Sequence, residues 1–251
     1  MEDPLKFAKI LAEPINSAIN PTSKKVGECL EKTFSGTLGW LIMPFYYSAA
    51  YREVLVKRIK KLQNCLVDVH EQDIVEQISP QIAGPVFESL KYIDEGSPFE
   101  TLYLNLLAKA MNKETISQVH PSFAYKLQNI SGDEALMLLY LKEQGEVKGT
   151  AKWELKAPRY KYKLLEGAFA FAENAFCYPQ NTYMYAEHLD SLQLIEAGVV
   201  KDTVAVLKGN DGDIIQRICD EEYILRLSKL GEMFVQVCIP DNLDLEDFKV
   251  T

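Results

Sequence analysis

The three histidines His70, His120 and His188 are the side chains of this sequence best suited to acid–base or metal chemistry. None of them stands in one of the histidine, cysteine and carboxylate spacings that bind zinc. The sequence motifs that cradle phosphates, activate a serine or hold a catalytic zinc are also absent. The segment 209–213 supplies too few oxygen ligands for a calcium loop. The sequence therefore predicts a protein without a catalytic site, a cofactor or a metal.

The region from Glu100 to Leu141 has the clearest helical pattern. Its first part predicts a helix with one buried stripe, formed by Leu102, Leu106, Leu107 and Ala110. Pro121 suits the first turn of a second helix, and Ser131 with Glu134 three residues later forms a capping box that starts a third helix, Ser131–Gln144. Asn105 is expected to hydrogen-bond the loop that carries His120.

These helices contain motifs that resemble a known family. The motifs are Leu-Tyr-x-x-Leu-Leu-Ala-x-Ala-Met at 102–111, Val-His-Pro-Ser-Phe at 119–123, and a Ser-x-Asp/Glu helix start at 131–133. They resemble the Abi-alpha family, a domain of unknown function linked to abortive infection, a bacterial defence against phage. The resemblance extends to a Leu-Ser-x-x-Gly-x-x-Phe ending at 227–234 and implies no reaction. The family signature residues are expected to have a structural role: Asn105, His120, Pro121, Ser122 and Phe123. His120 is expected to hydrogen-bond the exposed backbone at the end of the preceding helix, and a functional contact of this side chain is the alternative.

The net charge of −9 is shared unevenly along the chain. The first 63 residues hold ten Lys and Arg against six Asp and Glu, whereas the remainder holds 17 against 30. An acidic body disfavours broad nucleic-acid binding, because contacts with phosphates supply most of that affinity. Five scattered cysteines without a paired motif, and no signal peptide, predict a cytoplasmic protein.

The segment Phe34–Tyr51 carries no charge and is rich in aromatic residues. It is too short and too interrupted by glycine and proline for a stable transmembrane helix. Two alternatives stay open: an interfacial segment at the inner face of a membrane, or a buried hairpin packed on the protein's own helices. On the first alternative the candidate membrane or partner surface consists of Trp40, Lys57, Arg58, Lys60 and Lys61.

The segment Arg52–Glu76 is predicted to be a helix that needs a facing helix, because its apolar residues follow coiled-coil spacing. Basic residues crowd its first turns and acidic residues its end, an order that opposes the helix dipole. The helix is therefore expected to gain stability from packing, or from an anionic partner at its basic end.

The chain after Gln144 predicts helices over Tyr162–Phe176 and Ala186–Ala197, the second ending at Gly198, followed by two strands and a last helix from Lys229. With the helix Ser131–Gln144, this order is that of a winged-helix domain. The region 186–240 holds five Lys and Arg against ten Asp and Glu, so DNA binding by this module is disfavoured.

Residues 148–163 interleave basic and aromatic side chains, a pattern used for stacking on single-stranded nucleic acid. A solvated insertion loop is the simpler interpretation. The candidate nucleic-acid surface consists of Lys152, Trp153, Lys156, Arg159, Lys161 and Lys163.

Together these patterns predict a mainly α protein with an N-terminal helical region over residues 1–95. Residues 96–251 would form a helical bundle with a winged-helix-like α+β C-terminal part. The predicted function is non-enzymatic phage defence through contacts with a protein partner, a second copy or a membrane surface. The alternative is a nucleic-acid-binding regulator that uses the winged helix and residues 148–163.

Overall fold

The computed structural model describes residues 21–33, 49–156, 162–171, 175–208, 214–241, 243 and 248. The α-helices in this part of the chain are α1 (Pro21–Thr33), α2 (Ala49–Cys65), α3 (Pro80–Leu90), α4 (Pro98–Met111), α5 (Ser122–Asn129), α6 (Gly132–Gln144), α7 (Thr182–Ser191) and α8 (Lys229–Cys238). The strands are β1 (Glu146–Lys156), β2 (Tyr162–Phe169), β3 (Ile195–Lys208) and β4 (Ile214–Leu227).

The chain divides into two compact units. The first unit comprises the described residues up to Asn129 together with those of Gln236–Leu243, and the second comprises those of Ile130–Val235 with Phe248. The sequence division was drawn elsewhere, between residues 95 and 96. Most of the uncharged segment Phe34–Tyr51 lies outside the described residues, and its last three residues begin α2.

The first unit is a helical assembly centred on α4. The predicted stripe of α4 is confirmed, since Leu102, Leu106, Leu107 and Ala110 are all fully buried. Pro98 begins the helix and the Ser97 hydroxyl accepts a hydrogen bond from the Glu100 N–H, so the N-terminus of α4 is capped. α4 packs on α2, α3 and α5.

Helix α2 confirms the prediction of a packed seam but ends earlier than predicted. Its apolar residues Leu55, Ile59 and Leu62 are buried, and α4 is the facing helix that their spacing requires. The helix ends at Cys65 rather than Glu76. The acidic residues from Asp68 onward therefore lie beyond the helix, and the predicted conflict with the helix dipole at its C-terminus does not arise.

The second unit places α6 and α7 against a four-stranded antiparallel sheet with the strand order β2-β1-β4-β3. The capping box at the start of α6 is confirmed, because the Ser131 hydroxyl accepts from the Glu134 N–H and Glu134 Oε2 accepts from the Ser131 N–H. α6 packs on β1 and β4, and α7 packs on β2 and β3. The buried residues Val147, Ala151 and Leu225 form part of the core beneath these helices.

The prediction of a mainly α fold was wrong, since the protein is mixed α+β. Residues 162–169, predicted as the start of a helix, form β2, and residues 148–156 of the stretch interpreted as a loop lie in β1. The helix predicted over Ala186–Ala197 is α7, which ends at Ser191, so Gly198 lies inside β3 rather than at a helix end. The winged-helix arrangement is not confirmed, because a strand occupies the place of its second helix.

Candidate functional site

The signature residues between α4 and α5 hold the start of α5. His120 Nδ1 accepts a hydrogen bond from the Ser122 N–H at 3.2 Å and lies 2.7 Å from the Ser122 hydroxyl oxygen. The Phe123 ring is fully buried, whereas His120 and Pro121 are exposed. The sequence predicted that His120 would contact the end of the preceding helix. The contact is instead with the first turn of the following helix, whose N–H groups lack partners within the helix.

Asn105 makes the kind of contact that was predicted, but with a different segment. Its side-chain Nδ2 donates to the Val237 carbonyl at 2.9 Å, in the last turn of α8. The predicted partner, the loop carrying His120, was wrong. The carbonyls in the last turn of a helix have no partner within that helix, so Asn105 satisfies one of them.

The basic residues of the candidate membrane or partner surface, Lys57, Arg58, Lys60 and Lys61, form the basic cluster. Most of them pair with carboxylates of the first unit. Arg58 is only 3% exposed, and its Nε lies 2.5 Å from Glu100 Oε1. Its two terminal nitrogens donate to the carbonyls of Leu90 and Ile93 at 2.5 and 2.6 Å. Arg58 therefore joins α2 to the end of α3 and the start of α4, and its prediction as a surface residue was wrong.

The three lysines of the same candidate surface differ in their ion-pair partners. Lys61 Nζ lies 2.5 Å from Glu100 Oε2, and Lys57 Nζ lies 3.2 Å from Glu95. Lys60 is exposed, and Trp40 lies outside the described residues. Burial raises the pKa of Glu100, but hydrogen bonds from Lys61, Arg58 and the Gly96 N–H outweigh it and hold the pKa below its ordinary value.

The described residues of the basic-aromatic stretch, 148–156 and 162–163, lie in strands of the sheet. Lys152 Nζ lies 3.9 Å from Asp220, on the neighbouring strand β4. Trp153 Nε1 donates to the Tyr223 hydroxyl at 3.0 Å, and its ring meets Tyr183 edge-on, with centroids 5.7 Å apart. These contacts engage the Trp153 ring on the side of the sheet that carries α7. Of the remaining candidates, Lys156 lies in β1, Lys163 lies in β2, and Arg159 and Lys161 lie outside the described residues.

A buried polar cluster at the start of α6 was not predicted. Asp133 accepts hydrogen bonds from the Cys177 and Tyr178 N–H groups at 2.8 and 2.9 Å, and from the Tyr185 hydroxyl at 2.9 Å. Glu134, which also caps α6, accepts a hydrogen bond from His188 Nδ1 at 2.5 Å. The sequence around His188 does not indicate this pairing, which depends on the proximity of His188 and Glu134 in three dimensions.

Strand β3 is the most exposed regular element of the second unit. Ile195 is buried, but every later residue of the strand is exposed. The strand lies at one end of the sheet, so only β4 pairs with it among the described residues. Alternating hydrophobicity indicated a strand here, but nothing in the sequence indicated that it lies at an edge.

The described residues contain no group of three or more histidine, cysteine and acidic side chains that could hold a metal ion. Three of the five cysteines are buried, namely Cys29, Cys219 and Cys238, whereas Cys65 and Cys177 are exposed.

Comparison with family models decides the assignment. The model described as abortive infection alpha matches residues 50–238, most of the chain. The chain belongs to the abortive infection alpha family. No curated protein and no solved structure matches it. The family match spans both compact units, from the start of α2 to the end of α8.

The C-terminal motif of this abortive infection alpha protein has a direct structural explanation. The Ser228 hydroxyl accepts from the Gly231 N–H at 2.9 Å and donates to the Gln193 carbonyl at 2.6 Å. A Cβ atom at Gly231 would lie 1.8 Å from the Leu194 carbonyl oxygen, so glycine is required where α8 crosses this backbone. Phe234, the last motif residue, is fully buried.

In the described part of this abortive infection alpha protein, no helix is both long enough and apolar enough to cross a membrane.

Proposed function

We propose that this protein serves phage defence without catalysing a reaction, by binding another protein along the free edge of β3. One observation carries the proposal: a strand of 14 residues ends the sheet and is exposed along its length after Ile195. The unpaired backbone N–H and C=O groups of an edge strand are a template for a strand of another chain.

The side chains of β3 support an apolar contact. Five large apolar residues are between 42% and 61% exposed, namely Val199, Val200, Val204, Val206 and Leu207. Two charges of the strand are paired within the sheet, since Lys201 lies 3.5 Å from Glu222 and Glu196 lies 2.9 Å from Arg226. Sheet proteins usually protect an exposed edge with charge or proline. This strand contains no proline, and its second half from 203 to 207 carries no charge.

The occupant that fits best is a regular strand from a different protein. The register of β3 shifts between Val199 and Lys201, which marks an irregularity in the strand. A second copy of the chain would have to pair this irregular strand with itself, so the shift would interrupt the ladder twice. A regular strand from a different protein would meet the shift once.

The two rival functions have less support. A membrane contact through the basic cluster has less support because Arg58 is buried, and because Lys57 and Lys61 are paired with carboxylates. Stacking of nucleic-acid bases on residues 148–163 has less support because Trp153 already has contacts within the protein. Its ring meets Tyr183 and its N–H donates to Tyr223. Both functions stay predictions for the segments outside the described residues.

The proposal is tested by plating a panel of lytic phages on cells that produce the protein. Wild type is expected to reduce plating of at least one phage, and the double variant Val204→Lys, Val206→Lys is expected to lose that protection. The control is Val67→Lys, because Val67 is equally apolar, is 60% exposed and lies in the first unit. Loss of protection in the control, or retained protection in the double variant, would contradict the proposal, as would a wild type that restricts no phage.

A further inference from the structure

A cavity of about 160 Å³ lies between α7 and the sheet of the second unit. It is smaller than the sites of drug-sized ligands, which measure about 300–1,000 Å³. The cavity therefore admits a single functional group or a short side chain.

Aromatic rings form much of the wall of this cavity. Phe169 and Tyr183 are nearly parallel, with centroids 6.0 Å apart and an interplanar angle of 14°, and Tyr223 closes another side. Trp153 supports two of these rings, by its edge-on contact with Tyr183 and its hydrogen bond to the Tyr223 hydroxyl. The Phe169 ring lies against Gly149, where a Cβ atom would be 2.2 Å from it. The walls are thus held in place before any ligand arrives.

Carboxylates add negative charge to the same cavity. Glu187 and Asp190 line it from α7, and neither forms an ion pair within the described part of the chain. The Tyr223 hydroxyl also donates to Glu221. Burial raises the pKa of Tyr183 to about 12, and the charges of Glu187 and Glu221 contribute to that rise. Carboxylates beside aromatic faces make an environment that attracts cations.

We propose that this cavity binds an organic cation, a guanidinium or alkylammonium group. Aromatic faces attract such a group within about 6 Å through their quadrupoles, and two carboxylates at the rim pair with its N–H donors. An arginine or lysine side chain of a partner protein and a small free cation share this chemistry. Neutral ligands of the same shape lack both attractions.

Two alanines line the cavity, and replacing one of them by a larger residue tests the proposal by filling the cavity. Ala186 and Ala197 line it, and Ala197 is exposed on β3, so a larger side chain there fills the cavity without entering the core. Ala205 is exposed on the same strand and does not line the cavity, so Ala205→Leu is the matched control for Ala197→Leu.

The test follows the indole N–H resonance of Trp153 in the full-length protein by ¹⁵N nuclear magnetic resonance. The chain has two tryptophans, and Trp40→Phe assigns the signal. N-acetyl-arginine amide is expected to shift it saturably, with a Kd on the order of 1 mM, and the neutral isostere N-acetyl-citrulline amide is expected to leave it in place. Glu187→Gln with Asp190→Asn should weaken binding at least about fivefold. Ala197→Leu should abolish it, and Ala205→Leu should not change it.

Equal shifts with the citrulline and arginine compounds, no shift with the arginine compound, or equal loss in the two leucine variants would each overturn the proposal. Two further probes separate the sources of the cation. Tighter binding of an acetylated Gly-Gly-Arg-Gly-Gly amide than of agmatine supports the site with a protein side chain as its ligand. The reverse order supports the site with a free cation as its ligand.

Discussion

The helices around α4 and the outer strand β3 differ in whether their side chains and backbone groups have partners within the protein. In the first unit, Arg58 and Lys61 share one carboxylate, Glu100, and Asn105 satisfies a helix-end carbonyl. Strand β3 instead leaves large apolar side chains and one backbone edge without a partner in the described residues. The charges of a charge-rich segment can therefore be paired inside the fold. A strand of ordinary composition, in contrast, leaves its side chains and one backbone edge exposed.

This difference changes the meaning of the charge asymmetry along the chain. The excess of Lys and Arg before residue 64 suggested an external anionic partner. The partner of Arg58 is instead an internal carboxylate only 1% exposed, so part of the positive charge stabilises the fold. The predictions below test whether the first unit is structural and whether β3 is free to act.

The largest effect is expected from Arg58→Met. Removing the guanidinium leaves the Leu90 and Ile93 carbonyls without their donors and leaves Glu100 with Lys61 as its remaining side-chain partner. Breaking a buried pair in this way costs about 3–5 kcal/mol. Chemical denaturation measures the loss, and Lys60→Met, at an exposed position, is the control and should change stability by less than about 0.5 kcal/mol. A loss under 1 kcal/mol for Arg58→Met would show that the pair is not part of the core.

The same ion pair predicts how the free energy of unfolding changes at acid pH. The folded-state pKa of Glu100 lies below its ordinary value of 4.5. The stability that the ionised carboxylate contributes is therefore present above pH 4.5 and is lost as the pH falls through the folded-state pKa. Denaturation of wild type and Glu100→Gln at several pH values checks this, because the variant should lose less stability over that acid range. Equal acid sensitivity of the two proteins would contradict the pairing.

A smaller loss is expected from Gly231→Ala, at the family motif of the second unit. The new methyl group meets the Leu194 carbonyl oxygen, and relief of that clash requires α8 to shift. Overpacking of this kind costs about 1–3 kcal/mol. Gly198→Ala is the control, because a Cβ atom at Gly198 meets open space. Thermal unfolding of the two variants should differ clearly, and equal midpoints would contradict the close crossing.

Much of the helical part of the fold could be predicted from the sequence. The spacing of Leu102 and its partners, the capping box at Ser131 and the seam of α2 each depend on local pattern, and each was confirmed. Strand β1 also carries a readable signal, since Val147 and Ala151 alternate with Lys148 and Lys152. The lysines and aromatic residues of that stretch obscure its period of two, so the composition alone favours a loop.

The candidate sites were harder to predict because they depend on contacts between distant residues. The pairing of Arg58 with Glu100 spans 42 positions, and that of Glu134 with His188 spans 54. No local pattern indicates either pairing. The edge position of β3 likewise follows from strand order, which β1 and β2 set from elsewhere in the chain.

The most direct measurement is photo-crosslinking from β3 in phage-infected cells. If the edge of β3 pairs with another protein as proposed, a benzophenone amino acid placed at Val204 is expected to crosslink to a protein other than the chain itself. The same amino acid at Val67 provides the control, with comparable exposure outside the sheet. A distinct heterologous product from position 204 is the predicted result. No product at position 204, a product shared with position 67, or a crosslink only to a second copy would contradict the assignment of β3 as the docking strand.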